Sequence, residues 1–200
     1  DVGAVIIAGK NKGGVQAARS VVEAGDVGDL AWGRWTGGTV EARTIVGNTD
    51  TVVGANGGYH VMAGVSPTSL PSSGTVNYEL IATTSPTDNL GSTPGTLTGD
   101  LAIAFGATSL VGYDFQMDIG GRGYSVSSEG GAANPGASAT NLVFSSGTVI
   151  FTGNHNSILP GSVSGTGGAC QSSCQVTIGG NLFGANGGYA GVAMNVFDAG

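Results

Sequence analysis

Charge is what this chain has least of. Only 10% of its 200 residues are Asp, Glu, Lys or Arg, and six basic residues against thirteen acidic ones leave a net charge of −7. Four of the six, Lys10, Lys12, Arg19 and Arg34, precede residue 40. They are too sparse to form the cationic stripe that neutralises phosphates, which excludes a nucleic-acid partner. No apolar run reaches the roughly 18 residues from which a membrane helix is built. Histidine is confined to His60 and His155, and no G-x-S-x-G turn offers an activated serine. Single Ser, His and Asp residues occur without a spacing that gathers them. The expectation is a protein with no catalytic residues, no metal and no cofactor.

Cysteine is nearly absent too. Cys170 and Cys174 stand together in GACQSSCQV, where three intervening residues can form a turn that brings the two Cα atoms within disulfide reach. A metal site would need further Cys or His ligands nearby, and none is evident. A local disulfide is expected, which favours an oxidising compartment. The chain opens at Asp1 without a charged leader and apolar core, so a mature or trimmed product is expected.

What the chain does have is glycine, at 39 positions, and a 40% apolar fraction. That is enough for one domain with a real core, and too much for a disordered chain. Scarce lysine with abundant Thr, Ser, Gly and Asn is common among secreted and cell-surface bacterial β proteins. In the middle of the chain, LTGDLAIAF from Leu97 and VGYDFQMDI from Val111 alternate with period two. One face collects Leu97, Leu101, Ile103, Phe105, Val111, Tyr113, Phe115, Met117 and Ile119. The other holds Thr98, Asp100, Ala102, Ala104, Gly112, Asp114, Gln116 and Asp118. Such alternation specifies strands with one buried and one wet face, and the short GATS link makes them antiparallel.

Residues 1–28 read differently, as an N-terminal extension to a β domain over 29–200. VGAVIIAG is a short apolar strand, and Val15, Ala18, Val21 and Val22 in GGVQAARSVVEAG have helical spacing, with Gly25 as a stop. Strand, glycine loop and helix invite a dinucleotide-binding reading. Val15 stands where a third glycine is needed, however, and no second strand–helix unit follows. The sharper possibility is that Val2, Val5, Ile6 and Ile7 pair with a neighbouring subunit's sheet edge.

Beyond residue 28, about eight to ten strands are predicted, at 29–36, 38–46, 58–65, 74–83, 96–105, 109–119, 122–128, 140–153 (as one strand or split in two), 174–183 and 187–197. Long loops fall near 66–73, 84–95, 129–139 and 154–173. That many strands can close a sheet into an antiparallel up-and-down barrel of about eight and remove its edges. GANGGY occurs twice, at 54–59 and 184–189, each time ahead of a small-residue strand. Internal duplication of a half-barrel and chance reuse of a turn sequence both account for it.

An ordered set of segments carries a resemblance. It comprises LAWGRWTGG at 30–38, GGYHVMAGV leading to LPSSGTVNYELI at 57–81, GTLTGDLAIAFG at 95–106, GGRGYSV at 120–126 and VTIGGNLFGANGGYAGVAMNV at 176–196. Over residues 29–197 the chain resembles the C-terminal β-barrel of transferrin-binding-protein-B-like surface proteins, most of all the barrel of some FecR-type proteins of alphaproteobacteria. Gly180, Phe183, Gly184 and Gly191 match that superfamily's last-hairpin pattern, while Gly187 departs from it. The resemblance implies an eight-stranded antiparallel barrel, export, and exposure at the cell surface. No FecR regulatory region is visible in residues 1–28, so a signalling role does not carry over. The family's ligand-binding residues lie on variable loops, so none is transferred.

Other candidate positions are few. Tyr59 and His60, with Met62 beyond, permit haem or metal ligation, although a histidine at a strand start is more often solvent-facing. Asp100, Asp114 and Asp118 share one face, as glycosidase carboxylates or a weak calcium patch would. The plainer reading is a solvated outer surface. In WGRW, Trp32 and Arg34 point one way and Trp35 the other, so one indole is expected to fill the barrel.

Three functions compete. The chain is expected to be a non-enzymatic secreted or cell-surface bacterial barrel that binds a ligand or protein partner through its long loops. It is alternatively a structural subunit of an extracellular fibre or matrix, a homo-oligomer or filament assembled by strand donation from residues 1–9. The third reading is a small outer-membrane barrel with its apolar face toward lipid. Membrane attachment outside this chain is compatible with the first two.

Overall fold

The computed structural model describes residues 20–44, 47–107, 109–128, 130–135, 141–145, 148–156, 163–172 and 174–198. In chain order its strands are β1 (Ser20–Val27), β2 (Leu30–Thr36), β3 (Thr39–Thr44), β4 (Gly47–Val52), β5 (Tyr59–Gly64), β6 (Gly74–Glu79) and β7 (Thr96–Phe105). There follow β8 (Leu110–Ile119), β9 (Arg122–Ser127), β10 (Asn141–Ser145), β11 (Thr148–Asn156), β12 (Val163–Thr166), β13 (Cys174–Phe183) and β14 (Tyr189–Asp198). The chain is nearly all β, and every strand pair is antiparallel. Among the described residues the one helical element is the 3-10 turn Ala185–Gly187.

The alternating segments form the centre. Thr96 to Ala104 of β7 pair with Asp118 to Leu110 of β8. Leu101, Ile103, Phe105, Val111, Tyr113 and Phe115 are buried, while Asp100, Gln116 and Asp118 are exposed. Ile103, Val111 and Tyr113 have no accessible surface, and each such side chain contributes about 1.5–3 kcal/mol through burial. The wet face is not wet throughout. Ala102 is 1% exposed, and a Cβ on Gly112 would meet Gly131 and Pro135. The small residues there let the 130–135 loop lie flat on the sheet.

From β8 the nine-stranded sheet continues in two directions along one edge. Asp114 to Ile119 pair with β9, which pairs with β12, while Leu110 pairs with Asn141 of β10, which leads to β11, β13 and β14. Inward residues of β7, β8, β9, β12 and β13 form one cluster, with Val76 and Tyr78 of β6 and Val192, Met194 and Val196 of β14 packed against it. A sheet whose distant strands share one core must curl on itself. Tyr78 of β6 donates to the carbonyl of Gly187, just ahead of β14, at 2.8 Å, so a side chain bridges the two ends of the curl.

A smaller sheet, in the order β1-β2-β5, joins the larger one through the end of β5. Val65 donates to Asp29 at 2.9 Å and accepts from the amide of Gly184 at 2.8 Å. Glycine permits that approach, since a Cβ on Gly191 would lie 2.6 Å from the sulfur of Met62. β3 and β4 form a separate hairpin.

Several expectations need correction. Ser20–Val27, assigned partly to a helix, is a strand paired with β2 across the tight Gly28–Asp29 turn. Gly28 takes φ +52° there, and the β-branched Val21, Val22 and Val27 suit a strand. The division at residue 28 therefore falls inside a hairpin. The remainder of the extension, including Val2, Val5, Ile6 and Ile7, lies outside the described residues. Residues 47–52, left between two predicted strands, are β4, and β12 lies within the span expected as a long loop. The 140–153 stretch, open to one strand or two, holds two, β10 and β11.

The two GANGGY segments share one hydrogen bond, from the fourth residue back to the first, Gly57 to Gly54 and Gly187 to Gly184, each 3.1 Å. Only the second connects partners of a hairpin, because β4 pairs with β3 whereas β13 pairs with β14.

Candidate functional site

The most concentrated polar chemistry lies across the small sheet. Glu23 of β1 is in register with Arg34 of β2, and Arg34 with His60 of β5. A carboxylate, a guanidinium and an imidazole therefore form a row perpendicular to the strands. The register depends on a bulge, since the pairing skips from Val21↔Trp35 to Glu23↔Arg34 and leaves Val22 unpaired. Were the pairing regular from Val21 onward, Val22 and not Glu23 would face Arg34.

Arg34 is 6% exposed. Its Nη2 donates to Glu23 Oε1 at 2.7 Å and its Nη1 to the carbonyl of Gly57 at 3.2 Å, while Nε is buried without a partner. The loop 80–95 covers the row. The amide of Ser85 donates to Glu23 Oε2 at 2.7 Å. The ring nitrogens of His60 bond to two hydroxyls, Nδ1 with Thr84 Oγ1 at 2.7 Å and Nε2 with Thr87 Oγ1 at 3.1 Å. Gly58 leaves the room required, since a Cβ there would lie 2.7 Å from both Arg34 Cδ and His60 Nε2.

Burial and charge shift both titrating groups. Burial pushes the Glu23 carboxyl up, but hydrogen bonds from Arg34 and Ser85 outweigh it and hold the group at about 2. Burial, reinforced by the neighbouring Arg34 cation, lowers His60 to about 4, and the Glu23 carboxylate opposes this only in part. At neutral pH the row is one ion pair beside a neutral imidazole.

The other end of the same loop is pinned separately. Asp88 Oδ1 accepts the amides of Leu90 and Ser92 at 3.1 and 3.0 Å, and its Oδ2 meets Arg122 Nη2 at 3.1 Å. Burial raises the Asp88 carboxyl, but these hydrogen bonds leave it below the usual range. Arg122 lies over the Tyr124 ring at 5.9 Å and 3.9 Å from Asp198 Oδ2. That oxygen also accepts Tyr124 Oη–H at 3.2 Å and the Cys170 amide at 3.0 Å.

Cys170 and Cys174 form the expected disulfide, with Cα atoms 5.1 Å apart. Their sulfurs and Asp198 converge as a metal cluster would, but bridged sulfurs present no thiolate. Tyr59 and His60 have different neighbours. Tyr59 stacks on Trp35 at 6.5 Å, whereas both nitrogens of His60 are occupied by threonines. Asp100 and Asp114 face each other across β7 and β8, and Asp118 faces Thr96. Asp114 accepts the amide of Ala132 at 2.8 Å and so anchors the 130–135 loop. Neither tryptophan joins the core cluster. Trp32 lies over Gly25, and the buried side chain of WGRW is that of Arg34, beside the buried Gly33.

Sequence reasoning singled out Arg34 and His60 without connecting them, and it left Glu23, Thr84, Thr87, Asp88, Arg122 and Asp198 unmarked. Only the rarity of charge pointed toward them, because so few ionised groups seldom stand idle. No family model, curated protein or solved structure matches the chain.

Proposed function

We propose that this is a non-enzymatic, exported bacterial β protein, secreted or held at the cell surface, that binds a ligand or protein partner through its long loops. The observation that carries this reading is the way the 80–95 loop is held. Glu23, itself held by Arg34, and His60 grip one part of it and Arg122 another, while Ile81 and Leu90 remain 63% and 68% exposed. Burying ionised groups costs desolvation energy that a mere connection between strands does not require. Fixing a loop in advance removes the ordering cost that binding would otherwise incur. The disulfide supports export, and the resemblance to transferrin-binding-protein-B-like barrels supports loop-borne binding at the surface. The central strands speak against a lipid-facing barrel, with Ile103 and Val111 in the core and Asp100 and Asp118 outside.

A structural subunit is the second reading. It draws support from β1, which among the described residues has a strand on one side only and exposes Val21 and Val22 at 59% and 45%. Light scattering coupled to chromatography, on the chain with and without residues 1–9, separates the two. A monomer in both forms favours the loop-binding protein. Assembly that disappears on truncation overturns it in favour of strand donation.

A further inference from the structure

We propose that the Glu23–Arg34–His60 row is an acid-released latch on the 80–95 loop, opened when His60 takes up a proton. The geometry supplies the latch. Three consecutive contacts from the loop, through Thr84, Ser85 and Thr87, land on His60, Glu23 and His60 again.

The charge balance supplies the trigger. From β1 the row receives one carboxylate, Glu23, and from β2 one guanidinium, Arg34. β5 adds His60 itself, while Tyr59 is engaged with Trp35. The covering loop contributes two hydroxyls and an amide, and its nearest carboxylate, Asp88, is committed to Arg122. A proton on His60 therefore places two cations against one anion in a largely buried site. The threonine hydroxyls can accept from both imidazolium N–H groups, so lost hydrogen bonding is not what opens the latch. The uncompensated charge does so, because the imidazolium gains water only where Thr84 and Thr87 move aside.

Release is local. Asp88 with Arg122 and Asn56 with the Gly91 carbonyl are independent of His60, whereas the Gly95 amide must leave the Pro86 carbonyl when that segment opens. Residues 83–87 lift while the far end of the loop stays tethered, as a unit of local unfolding. Burial and the neighbouring Arg34 cation set the response in acid, well below the ordinary histidine range. The release is a property of the row and does not depend on the loop's having a partner.

Hydrogen exchange read by mass spectrometry on the full chain from pH 7 to 3.5, corrected for intrinsic exchange rates, tests this. Residues 83–87 are expected to lose at least about tenfold in protection by pH 4 while β7 and β8 keep theirs. His60→Gln retains one donor and one acceptor for the two threonines and cannot titrate, so its loop should stay protected throughout. A wild-type loop whose protection is flat to pH 3.5 overturns the proposal, and so does a His60→Gln loop that opens like wild type. Should His60→Gln fail to fold, Thr84→Val with Thr87→Val replaces it. That chain should show an unprotected loop already at pH 7, and full protection that still falls in acid would refute the latch.

Discussion

Glu23 meets Arg34 at 2.7 Å because strand β1 carries one residue more than its partner at Val22. The bulge converts a position that alternation would give to valine into one occupied by a carboxylate, and the row across three strands follows from it.

Glu23→Ala leaves Arg34 buried with its carboxylate gone, and the expected loss is about 3 kcal/mol. Deleting Val22 removes the bulge but leaves Val21↔Trp35 and Glu23↔Arg34 as consecutive pairs, so Glu23 stays opposite Arg34 and the deletion should cost clearly less than Glu23→Ala. Urea unfolding of both variants checks this. A Val22 deletion as costly as Glu23→Ala would show that the bulge itself, and not the Glu23–Arg34 pair, carries the stability.

Stability should fall with acid in two overlapping stages. His60 protonates at about 4 in the fold against 6.5 as the ordinary value, so the unfolded chain binds the proton first. Its contribution is complete above pH 6.5 and is lost as pH falls through 4, by about 3 kcal/mol in all. Glu23, held at about 2 rather than 4.5, contributes stability that is complete above pH 4.5 and lost toward pH 2. Denaturant titrations at a series of pH values measure both, and His60→Gln should flatten the first stage alone.

Two glycines of the same composition should behave oppositely. A Cβ on Gly95 would run into the backbone oxygen of Asp118, whereas one on Gly54 meets nothing within 4 Å. Gly95→Ala is expected to cost about 3 kcal/mol, and Gly54→Ala to stay within about 0.5 kcal/mol of wild type. Thermal melts of the pair decide it, and equal melting temperatures would contradict the packing of β7 against β8.

The disulfide closes a loop of only four residues' separation, so its contribution through the unfolded chain is modest, about 2 kcal/mol. Urea unfolding of Cys170→Ser with Cys174→Ser should show that loss with little change in slope. A much larger loss would mean that the bridge, through the Cys170 amide on Asp198, also holds the Arg122 cluster together.

Period-two alternation gave β7 and β8 almost to the residue, because each side chain's face there follows from the pleat alone and the apolar set is long enough to be unambiguous. The same local rule placed β13 and identified the cysteine pair, whose geometry depends on five consecutive residues. It failed at Val21 and Val22, where a few valines fit helical and strand spacing equally and pairing with β2 decided between them. It also could not see the bulge, which is a property of two strands rather than one. Composition showed that ionised groups were scarce. Which of them met was decided by register, and by a loop folding back over three strands, through contacts between residues up to 62 positions apart. Such contacts leave no periodic trace in the chain, so the row and the way the loop covers it belong to the tertiary structure alone.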